Sequence, residues 1–210
     1  MFLNESRREY IKYELNESTI CSNPFNQFEK WYKFAQKNAV FEPNAMHLCT
    51  ISPENSPNNR VVLLKMYSHM GFIFFSNYSS QKAKDIKYNN NVKLSFFWPN
   101  IEQQIHVTGN AHQVDPKLSD EYFDTRPRES QLSAWASNQS EITNDRTELE
   151  EKMKTYDQKF KGQVPRPPHW GGYIVKPSTY EFWQGRKNRF HDRIIYTKNN
   201  DDWLTYRLNP

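Results

Sequence analysis

The first clear pattern in the sequence is a helical repeat of apolar residues that follows a polar opening segment. Asn23 and Pro24 form a typical helix start, because asparagine caps free N–H groups and proline is tolerated at the first helical position. The apolar positions that follow share one helical face and are Phe25, Phe28, Trp31, Tyr32 and Ala35. This spacing predicts an amphipathic helix. We interpret residues 1–22 as a flexible arm.

After this helix the pattern changes to short runs rich in Val, Ile and Phe, which predict β-strands. The predicted strands are Met46–Ile51, Arg60–Tyr67, Gly71–Ser76, Val92–Trp98 and Gln104–Val114, with a turn at Ser52–Asn59. Their connections are mostly short, which favours antiparallel neighbours, since a parallel pair needs a crossover of about a dozen residues. Asn77–Asn91 is long enough for a helix, and Lys82, Asp85 and Lys87 suit its solvent-facing side.

The second half of the chain alternates between helical and extended patterns. Short helices are predicted at Asp115–Tyr122 and Glu129–Ala136, and a longer one at Thr143–Lys161 has an apolar stripe of Leu149, Met153, Tyr156 and Phe160. Further strands are predicted at Tyr173–Val175, Tyr180–Gln184, Arg193–Tyr196 and Trp203–Leu208. Many short strands with a few helices predict an α+β fold built on a closed antiparallel barrel. Without repeats or low-complexity linkers, residues 23–210 are predicted to form a single domain.

Composition limits the classes of protein that fit this pattern. The chain has 210 residues, 15% of them aromatic, so its large rings offset a low hydrophobic fraction of 36% and predict a folded core. The net charge of +4 is spread along the chain, which suits phosphate-bearing ligands better than nucleic acid. Cys21 and Cys49 have no metal-binding spacing, so we expect no metal site. The polar N-terminus and the short apolar runs predict a cytoplasmic protein without a membrane span.

Two segments of the first half place cations beside a rigid backbone. Arg60–Lys65 is a strand with a cation at each end that could bracket a phosphate, yet strand ends also carry charge simply to meet water, and taken alone the segment favours that reading. Ser76–Lys82 is a strand-to-helix turn with hydroxyls and a lysine. Free N–H groups and the helix dipole favour an anion at such a turn, although an ordinary serine cap explains it equally well.

Two segments of the second half carry stronger signals. In Tyr122–Gln131 a proline fixes the backbone between Arg126 and Arg128, and arginine, serine and tyrosine can together donate to one phosphate. A structural Arg–Glu turn is the alternative. Phe182–Gly185 precedes Arg189–Arg193, where, if the chain is extended, Arg189, His191 and Arg193 share one face. Such a row of cations is unfavourable unless an anion or an electron-rich ring lies opposite.

With these segments in place, the chain resembles the pyridoxamine 5′-phosphate oxidase family. The resemblance runs in order from Arg7–Tyr10 to Arg207–Pro210. The most specific matches are Arg60–Lys65, Tyr122–Gln131, Trp170-Gly171-Gly172, and Phe182–Gly185 with Arg189–Arg193. The resemblance implies a split-barrel fold that binds flavin mononucleotide (FMN) at the interface of a homodimer. It also implies oxidation of pyridoxamine or pyridoxine 5′-phosphate to pyridoxal 5′-phosphate, with oxygen reduced to hydrogen peroxide.

The resemblance also assigns residues to roles. The implied FMN contacts are Arg60, Val61, Val62, Leu63, Leu64, Lys65, Phe75, Ser76, Gln81, Lys82, Gln104, Gln139, Ser140, Trp183 and Arg193. The implied substrate-phosphate site consists of Lys65, Tyr122, Arg126 and Ser130. Arg189 and His191 are the implied catalytic residues, with Phe190 beside them against the pyridine ring, and Arg7, Arg8, Glu9 and Tyr10 form a flap over it.

Three departures from the family pattern bear on these roles. Gln81 stands where the family often has arginine, Gln103 replaces a common arginine, and Phe190 replaces a usual leucine. With Gln81 in place of arginine, one cation on the FMN phosphate is missing. A charged hydrogen bond contributes about 1.5–3 kcal/mol, so its loss predicts FMN binding weaker by about tenfold or more. Three other functions remain open at this point: a flavin reductase on the same fold, a protein that stores FMN or pyridoxal phosphate without turnover, and a nucleic-acid-binding module.

Overall fold

The computed structural model describes residues 9–210, and within this range the chain forms five α-helices and nine β-strands. The helices are α1 (Pro24–Lys37), α2 (Gln81–Tyr88), α3 (Pro116–Asp124), α4 (Arg128–Ala136) and α5 (Arg146–Lys159). The strands are β1 (Ala45–Ile51), β2 (Pro57–Leu63), β3 (Met66–Ser68), β4 (Gly71–Asn77), β5 (Asn91–Trp98), β6 (Gln103–Gln113), β7 (Trp170–Gln184), β8 (Asp192–Asn199) and β9 (Asp202–Arg207).

Polar caps set the starts of three helices. The side chains of Asn23, Asp115 and Asp145 each accept a backbone N–H from the first turn of α1, α3 and α5, respectively. Pro24 and Pro116 occupy the position after the cap, where a missing N–H has no consequence. The predicted start of α1 is therefore confirmed. Helix α5 begins later than predicted because Asp145 caps it.

All nine strands belong to one antiparallel sheet with flanking helices, which confirms the α+β prediction. The strand order is β2-β1-β5-β6-β7-β4-β3, with β8 on β7 and β9 on β8. Within residues 9–210 this order is a path and not a ring. The sheet is therefore a split barrel, as the family resemblance implied, and the closed barrel expected from the strand pattern alone is wrong.

Strand β7 joins the parts of the sheet. Its first six residues pair with β4, its last six pair with β8, and β6 runs along its opposite edge. The prediction of two separate strands, Tyr173–Val175 and Tyr180–Gln184, is wrong because the chain stays extended through Pro177. The strand accommodates this proline at a bulge, where the register with β6 shifts between Thr108 and Gly109.

The predicted strand Arg60–Tyr67 is divided in the structure because the chain changes partners. Strand β2 pairs with β1 as far as Leu63, and the next N–H groups, of Leu64 and Lys65, donate to Asn44 and Ile73, respectively. The chain thereby passes from β1 to the neighbourhood of β4. The predicted turn is also shorter, because β2 already begins at Pro57 on the edge of the sheet.

The predicted solvent-facing side of α2 is wrong for two of its three residues. Lys82 is 7% exposed and Asp85 is fully buried, while Lys87 is exposed. Charged side chains are rarely buried unless they are paired or functional. The two buried residues lie with Ala83 and Ile86 on the buried side of the helix, while Lys84 and Lys87 are exposed.

Two apolar clusters support the fold. The larger one fills the curled sheet and is closed by α1, where Phe28 contacts the rings of Phe72 and Phe96 at centroid distances of 4.7 and 5.3 Å. The smaller one lies among α3, α4 and β7 around Phe123 and Trp170. Helix α5 has no fully buried residue and contributes half-buried side chains of its predicted stripe, Met153 and Tyr156, followed by Phe160.

The bulge on β7 generates a prediction about stability. A Cβ atom at Gly109 would collide with the backbone carbonyl oxygen of Lys176 and lie 2.9 Å from the Cα atom of Pro177. Backbone atoms cannot move aside, so Gly109→Ala is expected to lower the free energy of unfolding by about 2–3 kcal/mol in urea titrations. Gly162→Ala is the matched control, since a Cβ there meets nothing within 4 Å. Equal stabilities of the two variants would contradict the described packing.

Candidate active site

A cavity of about 550 Å³ opens between the β2–β4 side of the sheet and helices α3 and α4. It has a mixed lining of apolar strand residues, aromatic rings and polar side chains. The lining residues are Val61, Val62, Leu63, Lys65, Phe75, Ser76, Asn77, Lys82, Tyr122, Arg126, Ser133, Ala134, Ser137, Gln139 and Trp170. A pocket of this size and lining is typical of a small-molecule or cofactor site.

Lys82 provides one buried cation in this cavity. Its Nζ atom donates to Ser80 Oγ and to Gln139 Oε1, both at 3.1 Å, and Ser76 Oγ donates to the same glutamine oxygen at 3.3 Å. Burial, together with the charge of Arg60, lowers the pKa of Lys82 to about 8. Ammonium and hydroxyl donors at the start of a helix such as α2 are groups that can hold an anion.

The buried carboxylate of Asp85 binds Arg60 and Gln81, two predicted FMN contacts that are not part of the cavity lining. Asp85 accepts hydrogen bonds from Thr50 Oγ1 at 2.6 Å, Asn58 Nδ2 at 3.0 Å and Gln81 Nε2 at 2.8 Å. Arg60 lies 3.6 Å from the same carboxylate. Burial raises the pKa of Asp85, but these donors outweigh it and keep the pKa below its ordinary value. The carboxylate therefore stays ionised.

Arg126 is the second cation of the cavity and is half-buried. Its Nη1 atom is buried and has no hydrogen-bond partner within residues 9–210. The guanidinium carbon lies 4.5 Å from the ring centroid of Trp170 and 5.5 Å from that of Phe123, and burial lowers the pKa of the side chain. An unpaired buried donor is costly to a fold, so this atom indicates a place for an anionic ligand.

Three stacked aromatic rings line one wall of the cavity. Phe75 stacks on Tyr122 at a centroid distance of 3.9 Å and on Trp170 at 5.4 Å, with interplanar angles of 15° and 11°. The stack requires glycine on the neighbouring strand, because a Cβ at Gly172 would lie 2.9 Å from the Phe75 ring. This explains Gly172, whereas a Cβ at Gly171 would collide with Tyr78. The stack itself was not predicted, since its three rings come from distant parts of the chain.

Three other predicted residues of this region are not part of the cavity lining: Leu64, Ser130 and Ser140. Leu64 is 4% exposed and its side chain belongs to the core, so only its backbone can face a ligand. Ser130 lies one helical turn before the lining residue Ser133, and its own side chain is not part of the lining. Ser140 is exposed and adopts a left-handed φ of 75° next to Gln139. Five lining residues were not among the predicted site residues. Four are small residues that resemble ordinary surface, and the fifth is Trp170, which was quoted only as part of a motif: Asn77, Ser133, Ala134, Ser137 and Trp170.

A second group of predicted residues forms a row across three strands. Gln104 on β6 lies opposite Trp183 on β7, which in turn lies opposite Arg193 on β8. Residues directly opposite one another point to the same face of a sheet. Three predicted FMN contacts therefore stand side by side on one surface, although they are far apart in sequence.

An aromatic cluster extends this row. The rings of Tyr10, Trp183 and His191 contact one another, with centroid distances of 5.7 Å for Tyr10–Trp183, 5.8 Å for Tyr10–His191 and 4.7 Å for Trp183–His191. A Cβ at Gly185 would lie 2.7 Å from Cγ of Tyr10, so this glycine makes room for the tyrosine. The sequence pattern indicated an aromatic residue before a glycine turn, but not this cluster.

His191 has a defined protonation pattern. Its Nδ1 atom accepts the backbone N–H of Arg186 at 3.1 Å, so the proton of the neutral ring is on Nε2. Burial and the charge of Arg189 lower its pKa, against the opposing effect of Asp192. The ring is therefore neutral at pH 7 and can donate a hydrogen bond through Nε2.

The extended alternation of Arg189, His191 and Arg193 is not observed. Residues Lys187–Arg189 form a 3-10 turn, Asn188 and Arg189 have left-handed φ values of 55° and 61°, and β8 begins only at Asp192. The prediction of one shared face is therefore wrong for this stretch. Phe190 is 76% exposed and follows the turn.

The N-terminal segment is fastened to this second group. Glu9 Oε2 accepts the backbone N–H of Asn188 at 3.3 Å, and Glu102 accepts the N–H groups of Ile11 and Lys12 at 2.9 and 3.0 Å. These contacts all involve residues from Glu9 onward, where the described part of the chain begins. The other two predicted flap residues, Arg7 and Arg8, lie outside the described residues.

The cavity and the row lie at opposite ends of β7. Trp170 at the start of the strand lines the cavity, whereas Trp183 in the row comes thirteen residues later. At about 3.3 Å per residue, the path along the strand is about 40 Å. No residue of the row is part of the cavity lining within the described chain. A single chain thus presents two separate halves of the predicted site.

Two features are absent from the described residues. None of the helices found there has the length and apolar character needed to cross a membrane. The same residues contain no group of three or more His, Cys, Asp or Glu side chains with the geometry of a metal site.

Comparison with known families gives two sequence matches. A family described as "Pyridoxamine 5'-phosphate oxidase" matches residues 34–160. A second, described as "Pyridoxine 5'-phosphate oxidase C-terminal dimerisation region", matches residues 170–210, which include most of the row. Together they confirm the resemblance inferred from the motifs.

Individual relatives agree with these matches. The chain is 47% identical over 209 residues to pyridoxine/pyridoxamine 5'-phosphate oxidase 2 of Hydrogenovibrio crunogenus, covering 99% of this chain and 98% of that one. It is 46% identical over 210 residues to pyridoxine/pyridoxamine 5'-phosphate oxidase of Actinobacillus succinogenes, covering both chains completely.

Solved structures share the fold. PhzG from Burkholderia lata 383, in complex with tetrahydrophenazine-1-carboxylic acid, superposes with a TM-score of 0.90 at 26% identity, covering 96% of this chain and 100% of that one. A pyridoxamine 5'-phosphate oxidase-related, FMN binding protein from Nostoc punctiforme has a TM-score of 0.70 at 14% identity, covering 91% and 100%, and shows the fold alone. From these matches, the chain belongs to the pyridoxamine 5′-phosphate oxidase family.

Proposed function

We propose that the protein is an FMN-dependent oxidase that converts pyridoxamine or pyridoxine 5′-phosphate to pyridoxal 5′-phosphate. The observation that carries this proposal is the pair of cations in one cavity, the buried Lys82 and the half-buried Arg126. Neither makes an ion pair with a carboxylate of the described chain, and Arg126 has an unpartnered nitrogen. A site with two separate anion positions suits a phosphate-bearing cofactor together with a phosphate-bearing substrate.

The residues present fit FMN at the first of these positions. Lys82 and Ser76 would hold the phosphate, since both are donors at the start of α2. Val61 and Val62 on β2 provide an apolar surface of the kind that a flavin ring covers, and Val61 is 59% exposed in the isolated chain. When bound, FMN supplies a hydride acceptor that oxygen reoxidises, with hydrogen peroxide as the by-product.

The substrate phosphate is assigned to the second position. Arg126, Tyr122 and Lys65 line the cavity, and Ser130 lies one helical turn before the lining residue Ser133. A planar guanidinium whose Nη1 atom lacks a partner is suited to a phosphate oxygen. Holding the phosphate there fixes the substrate relative to the flavin, which favours reaction through proximity.

A homodimer would bring the two halves of the site together. The row of Gln104, Trp183 and Arg193 is remote from the cavity of its own chain, and residues 170–210 match a dimerisation region. We therefore assign the row of one subunit to the cavity of its partner, with FMN at the interface.

In this arrangement, Arg189 and His191 would lie against the substrate ring. His191 is neutral and carries its proton on Nε2, so it can donate a hydrogen bond to the ring or its substituents. Arg189 adds a fixed positive charge, held on a turn with left-handed backbone. Such a charge stabilises negative charge that develops during the reaction.

The decisive experiment is anaerobic mixing of the FMN-loaded protein with pyridoxamine 5′-phosphate while the flavin absorbance is followed. The flavin is expected to bleach and to recover with peroxide formation when oxygen is admitted. Arg126→Met should raise the substrate concentration for half-maximal bleaching by about tenfold or more, because a charged hydrogen bond is lost. FMN binding without bleaching would instead identify a storage protein, and bleaching by NADPH alone a reductase.

The pKa of Lys82 generates a prediction about cofactor affinity. Anion binding favours the charged lysine, which in the free protein loses its proton as the pH rises through about 8. The FMN affinity is therefore expected to fall by about tenfold between pH 7 and pH 9. Lys82→Gln should bind FMN weakly and without this pH dependence. Lys82→Arg should stay charged, so its FMN affinity should not change between about pH 7 and pH 9. The same slope in Lys82→Gln and the natural protein would contradict the assignment.

Arg189→Met tests the catalytic assignment. Turnover is expected to fall by about a hundredfold, since a charge near the reacting ring is removed, while the FMN dissociation constant changes little. The measurements are steady-state peroxide production and titration of the apoprotein with FMN. Unchanged turnover would refute the role of Arg189.

A further inference from the structure

The guanidinium of Arg193 is held at two of its three nitrogen atoms by the chain itself. Nε donates to Glu181 Oε1 at 2.7 Å, and Nη1 donates to the backbone carbonyl of Asn209 at 3.1 Å. Nη2 has no such contact with any of residues 9–210. Because a guanidinium is planar, fixing two of its nitrogens also fixes the direction of the third.

The sheet register places Glu181 where it can do this. Glu181 lies two residues before Trp183 on β7 and therefore shares its face, and it stands directly opposite His106 on β6. The second carboxylate oxygen lies 3.6 Å from His106 Nδ1. The contacts with His106 and Arg193 outweigh burial and lower the pKa of Glu181 to about 2. The carboxylate is therefore charged at any working pH.

The end of the chain supplies the other anchor. The N–H of Leu208 donates to the Arg193 carbonyl at 3.0 Å, so the last residues run alongside β8. Arg207 fastens this segment through contacts with Glu17 and Asp192, at 2.9 and 2.7 Å, respectively. The contacts of Arg207 and Leu208 thus fix the segment that carries the Asn209 carbonyl.

We propose that Glu181 is a positioning residue for cofactor binding, and that it acts with the Asn209 carbonyl to fix Arg193 so that Nη2 is left for FMN. This inference rests on the proposed function, in which Arg193 contacts the cofactor. It goes beyond that function because Glu181 was not among the predicted site residues and a carboxylate is itself unfavourable for an anionic ligand. Its role is to direct a cation and not to bind.

The experiment is a double-mutant cycle on the FMN dissociation constant, measured by quenching of flavin fluorescence on titration of the full-length apoprotein. Glu181→Gln keeps the shape and a neutral acceptor and is expected to weaken binding about fivefold, and Glu181→Leu about tenfold or more. Arg193→Lys should weaken binding by about tenfold, because lysine lacks the fork. In the Arg193→Lys background, Glu181→Gln should change the constant by less than about twofold.

Asp120→Asn is the matched control. Asp120 accepts from Arg166 Nε at 2.6 Å while Nη1 of that arginine donates to the Trp170 carbonyl at 2.5 Å, which repeats the geometry of the Glu181 pair elsewhere in the molecule. The FMN dissociation constant of Asp120→Asn is expected to stay within about twofold of that of the natural protein. Melting temperatures of the apoproteins show whether each variant is folded. If Glu181→Leu does not fold, the FMN affinity of Glu181→Gln decides the test.

The outcomes separate the two levels of the inference. Natural FMN affinity in Glu181→Gln and Glu181→Leu, with Arg193→Lys impaired, would overturn the positioning role and leave the proposed cofactor site intact. Equal losses from Glu181→Gln in both backgrounds would also overturn it, since the effect would then not pass through Arg193. Natural affinity in Arg193→Lys would instead remove Arg193 from the proposed cofactor site.

Discussion

The placement of two cations in one cavity is the physical constraint on which the proposed site depends. Lys82 is almost fully buried, and the half-buried Arg126 has a buried nitrogen without a partner among residues 9–210. Removing charged groups from water is unfavourable, so the anions proposed to bind there would stabilise the protein. The aromatic stack of Phe75, Tyr122 and Trp170 increases this effect by keeping one wall of the cavity apolar.

Carboxylates placed behind the cations recur in both halves of the site. Asp85 is fully buried and holds Arg60 and Gln81 behind the cavity, while Glu181 holds Arg193 in the row on the other side of the molecule. Both carboxylates are satisfied by several donors, and both have lowered pKa values. A fixed negative charge of this kind costs some attraction for an anionic ligand but gives each cation a defined direction.

Strand β7 gives these two halves their relationship. It is continuous from Trp170 to Gln184 and pairs first with β4 beside the cavity and then with β8 beside the row. Its length holds the halves apart in one chain, which is why the proposed site includes a second copy of the chain. The bulge at Gly109 allows the strand to pass Pro177 without ending, and this small irregularity therefore matters for the whole site.

The sequence by itself determined the start of α1, most strands, the α+β class and the family. A cap such as Asn23–Pro24 acts locally, and the motifs taken together, Trp170-Gly171-Gly172 among them, are specific enough to identify the family without coordinates. It could not determine which charged residues of α2 are buried, that β7 is continuous, or that Phe75, Tyr122 and Trp170 stack. These features depend on contacts between residues far apart in the chain. Local spacing carries no information about such contacts, so only the tertiary structure decided them.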